Sequence, residues 1–284
     1  MTIDYEAEYN NRARVPEHPE IIARWTRDAA AYRDEATGEG RAELGVAYGP
    51  TPRQTIDLFC PAGGSAAPVA LFIHGGYWRT LDPSLFSHMA RGLNARGIVV
   101  AVPGYDLCPQ VAISDIIDET RRACLYLWRR FGRRLLVAGH SAGGHLAACM
   151  LATDWKALAP DLPPDLVPAA FAISGLYDLT PLLAVSTNAD LRLTEESARA
   201  ASPLFWPAPA GRTLEAWCGA RESDEFRRQN RIICDAWARA NVTTVCGEVA
   251  QANHFTVLDP LSDPDSDMVA RLVALCERTQ MAAA

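Results

Sequence analysis

The stretch GHSAGGH, residues 139–145, places a serine between two histidines, and these are side-chain types that nucleophilic catalysis uses. Its first five letters fit G-x-S-x-G, in which a serine stands on a sharp turn between a strand and a helix. The apolar run RLLVAG leads into Ser141 and AGGHLAACML follows it, as that setting requires. A serine that only capped a helix would not need glycines on both sides. We therefore predict that Ser141 is a nucleophile.

The two histidines beside the serine are poor candidates for its base. His140 adjoins Ser141, and neighbouring side chains diverge at a tight turn. His145 lies one helical turn further on, but this segment contains no acidic residue to orient its ring. We expect His140 to stand at the edge of the substrate pocket and His145 to be buried and hydrogen-bonded.

A more distant histidine, His254, lies in QANHFTVLDP, on the loop between the last predicted strand and the last predicted helix. In one arrangement of a serine triad, the acid and then the histidine follow the serine along the chain. His254 fits this order. His18 and His88 precede the serine, and we interpret them as surface or otherwise satisfied histidines. The sequence therefore predicts His254 as the base.

The acid of such a triad is expected just after the strand predicted over 213–218, where CGARESDEF offers three carboxylates. Ser223 is a good N-cap, so Asp224 and Glu225 fall in the first helical turn, where negative charge complements the helix dipole. Glu222 precedes the cap and has no such structural role. Glu222 is the favoured acid, and Asp224 stays the alternative because aspartate is the commoner triad acid.

The stretch ALFIHGGYW, residues 70–78, places two glycines at the end of a predicted strand. Glycines there let backbone N–H groups approach a substrate, so we predict that Gly75 and Gly76 form an oxyanion hole together with the N–H of Ala142. His74 belongs to the strand end and is expected to hold the loop by a hydrogen bond.

Short β-rich runs alternate with helical stretches, which predicts a doubly wound parallel sheet whose first two strands form an antiparallel edge hairpin. The predicted strands are 43–48, 54–60, 69–74, 97–103, 134–139, 169–174, 213–218 and 242–248. The predicted helices are 17–34, 83–95, 113–131, 142–153, 224–240 and 266–280. The whole chain, 1–284, reads as a single domain with an N-terminal helical segment, 1–40. Residues 176–210 are interpreted as short helices forming a lid, or alternatively as one crossover helix with long flanks.

Composition narrows the classes of function. A net charge of −7 argues against a nucleic-acid partner, and no apolar run approaches the roughly 20 residues of a membrane span. The eight cysteines lack C-x-x-C spacing, and the polar N-terminus does not resemble a signal peptide, so we expect buried thiols in a cytoplasmic chain. Neither H-E-x-x-H nor zinc spacing occurs, and we expect no metal and no cofactor. The expected partner is a small-molecule substrate, and a homodimer is left open.

The motifs HGGYW, GHSAGG and NHF together resemble the α/β-hydrolase superfamily, in particular its HGG-x-W branch of kynurenine formamidases (arylformamidases) and related bacterial esterases. The segments YNNRARVPEHP, PGYDLCP, ISGLYDLTPL, ASPLFW and GARESDEFRRQ are also similar to that branch. The resemblance implies an α/β-hydrolase fold, a mostly parallel eight-stranded sheet with helices on both faces and a small lid. It places the acid at Glu222, where this chain has Glu instead of the branch's Asp.

The resemblance implies hydrolysis of a small, aromatic formamide or ester through an acyl-serine. A carboxylesterase, or a carbamate or amide hydrolase, on the same machinery is the alternative, and a non-catalytic binding scaffold is a third. The pocket is expected to be lined by seven residues, Tyr77, Trp78, His140, Tyr177, Leu179, Leu182 and Phe255.

Overall fold

An eight-stranded sheet runs through the centre of the molecule, which a computed structural model describes over residues 3–63 and 67–281, without the side chain of Met281. Its strands, β1 to β8 in chain order, are Ala42–Ala47, Thr55–Phe59, Val69–Ile73, Val99–Pro103, Leu135–His140, Ala169–Ile173, Thr213–Gly219 and Thr243–Val249. They lie side by side in the order β1-β2-β4-β3-β5-β6-β7-β8. β2 pairs antiparallel with β1 and β4, and the other neighbouring pairs are parallel.

Helices cover both faces of the sheet. The α-helices, α1 to α11, are Tyr5–Tyr9, Asn11–Arg14, His18–Gly38, Arg91–Ala95, Ile113–Phe131, Ala142–Ala152, Trp155–Leu158, Asn188–Leu191, Glu195–Ala200, Asp224–Ala238 and Asp267–Met281. Four 3₁₀ helices are Pro83–Ala90, Thr180–Ala184, Pro203–Phe205 and Thr256–Ser262. None of the helices in the described ranges combines the length and apolar character needed to cross a bilayer.

The two faces of the sheet carry two separate hydrophobic clusters because successive side chains of a strand point in opposite directions. In β3, Leu71 belongs to the cluster that includes α5, α6 and α10, whereas Phe72 belongs to the cluster that includes α3 and α11. Every residue of β3, β4, β5 and β6 is buried, as expected of strands covered on both faces.

The predicted fold class is confirmed, and all eight predicted strands are present, with ends that differ by at most two residues. The predicted helix 83–95 is wrong in one respect, because it is a 3₁₀ helix followed by the short α4. The three short helices α1, α2 and α7 were not predicted. Helices of four or five residues are too short to show a helical period.

The segment 176–210 contains two 3₁₀ helices and the short helices α8 and α9, and not one crossover helix. The N-terminal segment consists of α1, α2 and α3, and its first two residues lie outside the described ranges. Hydrogen bonds join the two segments, since Ser186 donates its N–H and its hydroxyl to Glu6 at 2.7 and 2.9 Å. The two segments are therefore in direct contact.

Candidate active site

Ser141 stands on a strained turn between β5 and α6. Its backbone has φ 56° and ψ −116°, a conformation that residues with a side chain rarely adopt. The turn is closely packed, because a Cβ on Gly143 would lie 1.9 Å from the carbonyl oxygen of Ile73 and one on Gly139 would lie 2.2 Å from that of Gly143. Only glycine fits these positions, which explains the residue pattern around the serine.

His254 and Glu222 reach Ser141 from two other loops at the carboxyl edge of the sheet. His254 lies after β8, and its Nε2 is 3.1 Å from Ser141 Oγ. Its Nδ1 is 2.7 Å from Oε2 of Glu222, which lies between β7 and α10. A carboxylate only accepts hydrogen bonds, so Nδ1 carries the proton and Nε2 is free to accept the serine hydroxyl. The Glu222 side chain is fully buried, and that of His254 is 6% exposed.

The alternative acid, Asp224, does not reach the histidine. Its side chain is 94% exposed and lies 3.7 Å from Arg227. Ser223 caps α10, accepting the N–H of Phe226 at 3.3 Å, and Asp224 is the first residue of that helix. The capping chemistry therefore directs Asp224 to solvent and leaves Glu222 at the strand end.

The other oxygen of Glu222 is held by two donors. Oε1 accepts the hydroxyl of Ser174 and the N–H of Gly219, each at 2.6 Å. Ser174 follows β6 directly, and sequence reasoning missed it because an isolated serine after a strand carries no motif. The carboxylate thus receives three hydrogen bonds, counting that from His254.

The HGG loop lies against the serine. A Cβ on Gly75 would lie 3.1 Å from Cβ of Ser141, and Gly76 has φ +118°, a region that favours glycine. Within the described ranges, the N–H groups of Gly75 and Gly76 donate to no protein acceptor. Ala142 is the first residue of α6, where the backbone N–H has no partner inside the helix. These three N–H groups are therefore free of intramolecular backbone acceptors, and Gly75 lies directly beside Ser141.

The remaining histidines near the serine are structural and uncharged. His140 Nε2–H donates to the carbonyl oxygen of His254 at 2.8 Å, and burial holds its pKa well below the usual range. His145 Nε2–H donates to the carbonyl of Ala201 at 2.7 Å, and burial lowers its pKa to about 4. His74 Nδ1–H donates to the carbonyl of Gly75 at 2.7 Å, so it holds the HGG loop.

A cavity of about 140 Å³ opens at Ser141 and His254. Of the seven predicted lining residues, Tyr77, His140 and Phe255 line it. The walls that were not predicted come mainly from the N-terminal segment and from the residues after the HGG loop: Tyr9, Asn10, Asn11, Arg12, Ile22, Trp25, Arg79, Thr80, Leu81, Phe86, Ser186 and Thr187. Sequence reasoning had only a weak signal for them, the similarity of YNNRARVPEHP to the formamidase branch.

The other four predicted lining residues do not line this cavity, because Trp78, Tyr177, Leu179 and Leu182 are fully buried in the hydrophobic cluster beside α6. Trp78, for example, lies edge-on to the ring of His145, with 5.1 Å between ring centroids. Large apolar side chains suit a cavity wall and a core equally well, and their type does not distinguish the two.

A model of the family described as the alpha/beta hydrolase fold matches residues 70–258. The kynurenine formamidase of Danio rerio is 30% identical over 228 residues, 78% of this chain and 77% of that protein. The kynurenine formamidase of Salmo salar is 30% identical over 254 residues, 85% of this chain and 84% of that protein.

Solved structures are similar to this chain as well. A crystal structure from a Silicibacter species, provisionally called a thioesterase, is 33% identical and superposes with a TM-score of 0.82, covering 95% of this chain and 98% of that chain. The metagenomic carboxylesterase EstE1, at 19% identity, a TM-score of 0.66 and coverage of 80% and 85%, shares the fold. This chain therefore belongs to the α/β-hydrolase family, as a serine hydrolase of the arylformamidase and esterase type.

Proposed function

We propose that this chain cleaves a small aryl formamide, with Ser141 as nucleophile, His254 as general base and acid, and Glu222 as the residue that orients the imidazole. The observation that carries the proposal is the hydrogen-bonded series from Ser141 Oγ through His254 to Glu222. The series is anchored by a strained turn that holds Oγ at the cavity. The formamide is favoured because relatives that align over most of the chain are kynurenine formamidases.

In the proposed first step, Ser141 Oγ attacks the formyl carbon while His254 Nε2 takes the hydroxyl proton. The carbonyl oxygen becomes an oxyanion that accepts hydrogen bonds from the N–H groups of Gly75, Gly76 and Ala142. His254 then protonates the departing aryl amine, which is a poor leaving group without that proton. Water hydrolyses the formyl-serine in the same way, and formate leaves.

The size of the cavity supports a small substrate. Its volume of about 140 Å³ is close to that of an apolar cavity that holds one benzene ring, about 150 Å³. Formyl is the smallest acyl group, so most of this space remains for an aromatic leaving group beside Trp25, Phe86 and Phe255. The aromatic side chains beside Ser141 therefore support an aryl leaving group.

A carboxylesterase acting on a short-acyl or aromatic ester is the second candidate. The same three residues perform this reaction, and an alcohol or phenol leaves with less assistance from His254 than an aryl amine requires. The esterases among the solved structures show that the fold supports ester hydrolysis.

The test compares turnover of N-formylkynurenine with that of short-chain p-nitrophenyl esters, with Ser141→Ala as the blank. We expect formamide cleavage by the wild-type chain and a loss of at least about 1000-fold in the blank. Ester turnover without formamide cleavage would replace the first candidate by the second. If a fluorophosphonate probe fails to label Ser141, both candidates are wrong and the chain is a binding scaffold.

We also propose a cytoplasmic location, supported by the eight cysteines, all of which are free thiols. Cell fractionation with an antibody to the chain tests this, and recovery of the chain in a secreted or membrane fraction would contradict it.

A further inference from the structure

Ser174 is a buried serine in an unfavourable backbone conformation. It follows the last residue of β6, is 1% exposed and has φ +52°. Its N–H donates to the carbonyl oxygen of Trp217 at 2.6 Å, which holds the backbone between β6 and β7. A residue with a side chain keeps such a conformation only where its surroundings impose it, and such positions concentrate at functional sites.

The hydroxyl of Ser174 is directed at the carboxylate of Glu222. Ser174 Oγ donates to Oε1 at 2.6 Å, and the N–H of Gly219 donates to the same oxygen at 2.6 Å. Oε2 faces His254 Nδ1 at 2.7 Å. One oxygen is thus reserved for the histidine while the other is fixed by two donors, so the carboxylate cannot turn about its terminal bond without losing hydrogen bonds to a buried charged group.

A glutamate has one more rotatable bond than an aspartate and needs more restraint to present one oxygen to the histidine. We propose that Ser174 is a positioning residue for hydrolysis: its hydroxyl fixes the carboxylate of Glu222 so that Oε2 orients His254. This inference rests on the proposed function of Ser141, His254 and Glu222. Without the hydroxyl, Oε1 keeps only the Gly219 donor, and the imidazole is less often aligned with Ser141 Oγ.

The loss of alignment is expected to affect the chemical step and not substrate binding, because Ser174 does not line the cavity. A misplacement of about 1 Å in a catalytic group costs up to about 100-fold in rate. Removing the hydroxyl should therefore lower kcat about 10-fold to 100-fold and leave KM within about twofold.

Two variants separate the hydroxyl from the backbone conformation. Ser174→Ala removes the hydroxyl and keeps the strained φ, whereas Ser174→Gly removes the hydroxyl and suits a positive φ. We expect both variants to lose kcat to a similar extent, and Ser174→Gly to unfold at a temperature no lower than that of Ser174→Ala. Wild-type kcat in Ser174→Gly would overturn the proposal, because the residue would then matter only for the shape of the chain.

A double-mutant comparison shows whether Ser174 acts through Glu222. In a Glu222→Ala background, Ser174→Gly should have no further effect on kcat, since the carboxylate that it positions is gone. An undiminished loss in that background would overturn the proposal. The matched control is Ser202→Ala, which removes another buried serine hydroxyl. The hydroxyl of Ser202 donates to the carbonyl oxygen of Ala198, at 2.6 Å, and makes no hydrogen bond to Ser141, His254 or Glu222. We expect Ser202→Ala to lower the melting temperature and leave kcat nearly unchanged.

The rate of fluorophosphonate labelling at Ser141 separates this inference from the proposed function, because labelling requires no knowledge of the substrate. No labelling of the wild-type chain contradicts the proposed function itself. Rapid labelling of the wild-type chain, together with an equal rate in Ser174→Gly, contradicts only the role of Ser174. We expect slower labelling of Ser174→Gly, by about the same factor as kcat.

Discussion

At the scale of single residues, the site depends on where each carboxylate is placed. Glu222 and Asp224 are two residues apart, yet the side chain of Glu222 is fully buried against His254 and that of Asp224 is 94% exposed. Ser223 separates them by capping α10. An orienting acid works only when it is held against the imidazole, so the two carboxylates are expected to differ sharply in their effect on activity.

This difference predicts the outcome of matched substitutions. Glu222→Gln should lower kcat by about 1000-fold to 10,000-fold, because an amide does not stabilise the imidazolium. Glu222→Asp should lose less, since the charge is kept but the shorter side chain withdraws from His254. Asp224→Asn should stay within about twofold of the wild type. Steady-state kinetics of the three variants test this, and a large loss in Asp224→Asn would transfer the role of the acid to that residue.

At the scale of elements, the turn between β5 and α6 depends on its glycines. A Cβ on Gly143 would collide with the backbone of β3, where Ile73 has no room to move inside the sheet. Gly38, at the end of α3, has no heavy atom within 4 Å of the position a Cβ would take. The same substitution should therefore have opposite effects at the two sites.

We predict that Gly143→Ala destabilises the chain by at least about 2 kcal/mol and abolishes labelling of Ser141, because the turn must open. Gly38→Ala should raise stability by up to about 1 kcal/mol, since alanine is the better helix former. Urea unfolding and fluorophosphonate labelling measure both effects. Normal labelling in Gly143→Ala would show that the turn tolerates a side chain.

The segment 176–210 is the second feature at this scale. Its residues Tyr177, Leu179 and Leu182 form core, whereas much of the cavity wall comes from the N-terminal segment. Leu182 is fully buried in the cluster that contains α6, whereas Phe255 lines the cavity. The two side chains therefore have different roles although the sequence predicts both as pocket residues.

Leu182→Ala should lower the free energy of unfolding by about 2 to 5 kcal/mol and leave KM nearly unchanged. Phe255→Ala should raise KM, because it removes an aromatic surface from the cavity, and should also lower stability, since Phe255 is 8% exposed and packs in the hydrophobic cluster on the other face of the sheet. Thermal melting and KM measured on the same preparations test the contrast. A raised KM in Leu182→Ala would return that residue to the binding site.

At the scale of the whole molecule, buried histidines couple stability to pH. Burial lowers the pKa of His74, His88 and His145 to about 4, and it holds the pKa of His140 well below the usual range. His88 is thus buried and not on the surface, and its Nδ1 has no hydrogen-bond partner among the described residues, so neither interpretation from the sequence fits it. The native state keeps these four rings neutral, whereas the unfolded chain protonates them near pH 6.5.

The contribution of these four histidines to the free energy of unfolding should therefore be complete above about pH 6.5. It should decrease as the pH drops from 6.5 through 4, because unfolding takes up protons in that range. For each proton taken up on unfolding, the free energy of unfolding changes by about 1.36 kcal/mol per pH unit. Glu119 has the opposite effect, since burial raises its pKa to about 7 and its contribution is lost as the pH rises from 4.5 to 7. The four histidines should outweigh this one carboxyl.

Urea midpoints measured between pH 4 and 8 test the coupling. The slope of the free energy of unfolding against pH gives the number of protons taken up on unfolding. His145→Gln should reduce that number by about one below pH 6.5. Glu119→Gln should make the fall toward low pH steeper, since the opposing group is removed. A midpoint that is independent of pH below 6.5 would contradict the assignment of neutral buried rings.

The homodimer that the sequence leaves open stays a prediction. Analytical ultracentrifugation of the purified chain is the measurement that tests it.

The sequence alone was sufficient wherever a signal is local. The bounds of α5, 113–131, were predicted correctly, because its apolar residues recur at helical spacing and Gly132 ends it in a left-handed conformation. The central strands were equally clear as nearly continuous apolar runs. The signals for the site are local in the same way: the strand–turn–helix setting of Ser141, the loop position of His254 and the helix cap at Ser223. They predicted Ser141, His254 and Glu222, which the structure brings together.

Only the tertiary structure decided which distant side chains meet. Ser174 reaches Glu222 across 48 positions of the chain, and Tyr9 and Trp25 become cavity walls although both precede Ser141 by more than a hundred residues. Trp78, Tyr177, Leu179 and Leu182 became core for the same reason. Periodicity and motifs report the conformation of neighbouring residues, whereas walls and positioning contacts arise from packing between elements, which the local pattern of residue types does not encode.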